Sequence, residues 1–112
     1  MTDQLGFFDR PLVEPTYAPE MGADQRFQAF HMANPQVFEE LKRLALQATA
    51  KGHRRLGMKM LWEVLRWNRL MRTTDPDSEF KLNNNLHSRY ARLLMERVPE
   101  LVGIFELREL RS

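Results

Sequence analysis

The chain has 112 residues, 43% of them hydrophobic, enough for one buried core and too few for a two-domain enzyme. It has no cysteine, which excludes disulfides, a thiol nucleophile and cysteine-ligated zinc and fits a reducing cytosol. The formal net charge of +2 hides an asymmetry: the first 25 residues carry five acids against Arg10, while Lys42 to Arg72 carry nine Lys/Arg against Glu63. The first 25 residues, at −4, are thus joined to a body of +6, and a basic body of this size suits a polyanionic partner.

Residues 1–22 read as an extended arm. Pro11, Pro15 and Pro19 recur every four residues, remove amide donors and oppose both helix and central strand. Phe7, Phe8, Leu12, Val13 and Tyr17 make the arm too apolar for a solvated tail. It either lies along its own domain or docks onto a second subunit or a protein partner. The N-terminus lacks the basic start and apolar stretch of a signal peptide, and no apolar run approaches the ~20 residues of a membrane span. The expected setting is cytoplasmic.

Residues 23–112 form the single domain. Asp24 caps a short helix over 24–32 with Phe27 and Phe30 on one face. Asn34-Pro35 is an N-cap followed by proline at the first helical position, where a missing amide costs nothing. Val37, Phe38, Leu41, Leu44, Ala45 and Ala48 repeat at helical spacing, and Gly52 suits a left-handed stop, so a helix is predicted over 35–51. His53 to Gly57 forms a basic strand or loop. Met58 to Arg72 is the next helix, apolar nearly all round except for a stripe of Lys59, Glu63, Arg66 and Arg69, with Arg66 paired to Glu63. Such a helix is expected at the centre of the core, surrounded by neighbours.

Thr73 to Glu79 is a polar loop punctuated by Asp75-Pro76. Asn83, Asn84 and Asn85 precede a helix over 84–98, with Asn83 as its N-cap. Leu86, Tyr90, Leu93 and Leu94 lie on one side of that helix, and Asn85, Ser88, Arg89, Arg92 and Glu96 on the other. Pro99 ends it, and residues 103–109 alternate as a strand with Phe105 inward. The predicted core contains Leu41, Leu61, Leu65, Trp67, Tyr90 and Leu94. The fold class is mainly α, a small helical domain with at most a two-stranded sheet from 54–56 and 103–109. Its element order is that of a winged-helix domain, whose third main helix enters the major groove. Two features oppose that architecture: the loop before the third helix is long, and little chain remains for a wing.

No catalytic constellation emerges. His31, His53 and His87 lack the spacing of a metal site, the Asp75–Glu79 acids lack the glycine and distal glutamate of an EF-hand, and no phosphate loop or nucleophile elbow occurs. The chain is therefore expected to be a binding protein without cofactor or metal. Double-stranded DNA is the favoured target. Arg54, Arg55 and Lys81 are the expected phosphate contacts, and Asn84, Asn85, Ser88, Arg89 and Arg92 line the helix that reads the duplex. The alternative is a protein-interaction or inhibitor module that occupies a partner's surface, because carboxylates attract arginine forks as phosphates do. Salt separates the two, since only many phosphate contacts give a steep loss of affinity.

Residues 27–111 resemble small proteins encoded by bacteriophages and bacterial mobile elements. The resemblance is carried by Asn34-Pro35, Gly52, Leu65-Arg66-Trp67, Asn83-Asn84-Asn85, Tyr90-Ala91-Arg92 and Phe105-Glu106-Leu107-Arg108. It implies a bacterial or phage cytosolic setting and brings no activity and no functional residues with it. The arm, Met1 to Gly22, lies outside it.

Overall fold

The computed structural model describes residues 10–75, 81–83 and 85–105. The chain is mainly helical: α1 (Ala23–Ala33), α2 (Pro35–Ala50), α3 (Met58–Arg72) and α4 (His87–Arg97), followed by a 3-10 turn at Pro99–Leu101. α2 packs on α3 and α4, and α1 closes one end of α2. Leu41, Leu61, Trp62, Leu65, Tyr90 and Leu94 form the centre of the core. Gly52 ends α2 with a φ of 97°, a conformation that glycine takes without a Cβ penalty.

Asn34 precedes Pro35 as predicted, but its side chain makes no cap hydrogen bond. The amide is fully buried and clasps the arm instead. Val13 N–H donates to Asn34 Oδ1 at 2.7 Å, and Asn34 Nδ2 donates to the Val13 carbonyl at 2.8 Å, reproducing one rung of a β-ladder. Gln36 Nε2 donates to the Arg10 carbonyl at 3.4 Å, Lys81 Nζ to the Leu12 carbonyl at 3.4 Å, and the Arg69 guanidinium to the Arg10 carbonyl. A proline-rich segment cannot join a sheet ladder, so its backbone groups find side-chain partners. Leu12 is buried beneath this clasp. Residues 10–13 therefore lie along their own domain, whereas residues 1–9 fall outside the described residues.

Three local expectations are corrected. α3 is not surrounded: Met60, Val64, Trp67, Leu70 and Met71 are exposed, and Trp67, at 60% exposure, is not a core residue. The domain is only 20 Å across its thinnest axis, about two helix diameters, so no third layer is available to cover the outer side of α3. Arg69, assigned to the polar stripe, is buried at 3% and faces the arm. Finally, α4 begins at His87, with Leu86 at the cap position. Asn83 does not cap it; Asn83 Oδ1 accepts the Asn85 amide at 2.9 Å, closing an Asx turn one step earlier in the chain.

The anticipated sheet is reduced, among the described residues, to one parallel bridge between Leu56 and Phe105, with Leu56 N–H donating to the Ile104 carbonyl at 3.0 Å. Residues 106–109 of the predicted strand lie outside the described residues. No wing hairpin occurs among the described residues.

His31 sits within an aromatic cluster, stacked on Phe27 and edge-on to Phe38 and Tyr90 at centroid distances of 6.0, 5.6 and 5.7 Å. Burial lowers its pKa from the ordinary 6.5, the Arg97 guanidinium lowers it further, and Glu39 partly opposes both. His87 is lowered in the same way, by burial first and Lys59 second, against Glu63. A histidine whose folded pKa is depressed takes its proton first in the unfolded chain. Stability is therefore greatest above 6.5, declines as pH falls through that value, and levels off below the folded pKa. Urea unfolding midpoints measured between about pH 7.5 and 5 should fall, and His31→Phe, which keeps the ring packing, should flatten part of the decline. An identical slope in both proteins would contradict this account.

Candidate interaction surface

Two surfaces are candidates, and the residues expected to contact DNA define the first. Arg54 and Arg55 are exposed in the loop between α2 and α3, together with Lys51 and His53, and neither arginine is engaged in an ion pair among the described residues. The remaining basic groups are more committed. Lys81 Nζ binds Asp75 Oδ2 at 2.9 Å as well as the Leu12 carbonyl. Arg89 Nε binds Asp24 Oδ1 at 2.7 Å, which ties α4 to the first turn of α1. Ser88 Oγ lies 3.4 Å from His87 Nδ1, and Ser88, Arg89 and Arg92 are only half-exposed. Asn85 is exposed, and Asn84 lies outside the described residues. Ala91 and Leu93 are buried along with Tyr90 and Leu94, so α4 packs over a wide arc and projects little.

The second surface is the outer side of α3. At about 100° per residue, Met58, Leu61, Trp62, Leu65 and Arg69 fall on one arc, and all five are buried. Trp67 points almost diametrically away from the centre of that arc. Beside it lie Met60 and Met71, each 59% exposed, with Val64 and Leu70. Glu63, Arg66, Trp67 and Leu70 line a shallow open groove along one flank. Arg66 Nη1 reaches both carboxylate oxygens of Glu63, at 3.1 and 3.0 Å, as the spacing of three predicts. The surface therefore combines a central indole, flexible thioethers and one ion pair of both signs.

No group of three metal-ligating side chains occurs among the described residues. No helix among them is long and apolar enough to cross a membrane. The pattern that marks the surface was present in the sequence as a helix apolar nearly all round. It became informative once the thinness of the domain showed which half of that helix faces solvent. No family model, curated protein or solved structure matches the chain.

Proposed function

We propose that this chain is a non-catalytic interaction module that docks a protein partner through the outer face of α3. The observation that carries this reading is the exposed stripe of Met60, Val64, Trp67, Leu70 and Met71. Soluble chains rarely leave so many large apolar side chains adjacent and open, and tryptophan, methionine and arginine are the types enriched at interface centres. Lys51, Arg54 and Arg55, between α2 and α3, and Lys59 in the first turn of α3 would speed encounter with an acidic partner. The cysteine-free composition and the resemblance to phage-encoded proteins suit a bacterial cytoplasm. A photo-cross-linking amino acid placed at Trp67 and activated in bacterial cells should give a discrete cross-linked protein species. The same probe at Glu20, an exposed arm position, should not. Absence of any product at Trp67 would refute the reading.

A second reading is nucleic-acid binding, supported by the exposed Arg54 and Arg55, which leave positive charge unspent. Duplex DNA titrated at two salt concentrations separates the two. Phosphate binding requires a steep loss of affinity with salt, with a slope that shallows by about 0.9 for each arginine reversed to glutamate. Indifference to Trp67→Ala and dependence on Arg54 and Arg55 would favour nucleic acid. The opposite pattern favours protein docking.

A further inference from the structure

We infer that the occupant of the α3 face is a second copy of this chain, docked with the two α3 helices antiparallel. The inference rests on the proposed docking role of that face and names its partner. Three observations carry it.

The first is spacing. Met60, Val64, Trp67 and Met71 follow one another at intervals of four, three and four residues. This is the alternation of the two apolar positions in a heptad, the register that seats one helix on another, and it runs for about 16 Å along α3. All four side chains are exposed and lie opposite the core arc.

The second is volume. An antiparallel pair related by a two-fold axis between Val64 and Trp67 places Val64 opposite the partner's Trp67 and Met60 opposite the partner's Met71. The smallest side chain of the seam then meets the largest, and the two end layers are pairs of adaptable thioethers. A parallel pair would instead set indole against indole and valine against valine, crowding one layer and leaving a void in the next. An isologous interface requires one patch to complement itself, and this patch does so only in the reversed direction.

The third is charge. Glu63 and Arg66 lie on the same flank of the seam, and the two-fold axis brings that flank against its own copy in reverse. Arg66 lies nearest the level of its own copy, but each keeps its Glu63 partner, so the two flanks meet as neutral ion pairs. Unlike a basic or acidic stripe, this flank carries both signs and needs no partner of opposite net charge.

Sedimentation of the full chain over a concentration series should give twice the 13.3 kDa chain mass at the upper end. Trp67→Ala should weaken the dimer by about 30-fold or more, the loss expected of a central hot-spot residue. Arg43→Ala, on exposed α2 surface, should leave it unchanged. Because the chain has no cysteine, orientation can be read from introduced ones. Met60→Cys chains mixed with Met71→Cys chains should form the mixed disulfide under mild oxidation, and neither variant alone should form one efficiently. A disulfide in Met60→Cys alone, with none in the mixture, would overturn the antiparallel arrangement. A chain that stays monomeric throughout the series overturns the inference. If the Trp67 photo-probe still captures a different protein from cells, the docking role survives; if it captures nothing, both fail.

Discussion

Leu65→Ala should lower the free energy of unfolding by about 2–5 kcal/mol, whereas Trp67→Ala in dilute solution should change it by less than about 0.5 kcal/mol. Two residues apart on one helix, these side chains have opposite surroundings. Leu65 is fully buried among α2 and α4, so its truncation forfeits transfer free energy and leaves a cavity that packed neighbours fill only in part. Trp67 is mostly in water already and loses little on truncation. Urea unfolding of both variants, at a concentration too low for self-association, reads the difference directly. Comparable losses in the two would mean that α3 is covered on both sides and would remove the basis for its docking role.

The second large effect concerns a charge with no solvent. Glu40 on α2 is fully buried, bonded to the Arg72 guanidinium at the end of α3 and lying 4.0 Å from Arg43. Arg72→Leu would leave that carboxylate without its principal partner, at an expected cost of about 3–5 kcal/mol near neutral pH. Arg43 is more exposed and at the limit of contact, so it offsets little of this. Replacing both residues, Glu40→Leu with Arg72→Leu, should recover most of the loss, because desolvation of the two charges roughly cancels their attraction. A double-mutant cycle measures the coupling; strictly additive losses would show that the pair does not act as a unit. The pair also ties the C-terminal turn of α3 to α2, which holds the orientation of the outer face.

The four helices among the described residues, and the limits of α2 and α3 to within a residue, were legible in the sequence, because their signals are local. Pro35 at the first helical position, the run from Val37 to Ala48 and the positive-φ Gly52 each act within a few residues of themselves. The Glu63–Arg66 pair was legible for the same reason. What the sequence did not reveal depends on partners far along the chain. Asn34 looked like a cap and serves as a clasp because Val13, 21 residues earlier, lies against it; Arg69 looked solvated and is buried because Arg10, 59 residues earlier, takes its hydrogen bond. Asn83 failed as a cap because its side chain closes a turn before α4 begins. Arg89 and Lys81 read as open cations and are held by Asp24 and Asp75. The face of α3 is the clearest case. A helix apolar nearly all round carries no internal mark of which side is covered, and the answer depends on how many layers the domain can build. A fold 20 Å thick has one layer for each side of its core, so one half of α3 packs against α2 and α4 while Trp67 and its neighbours remain in solvent.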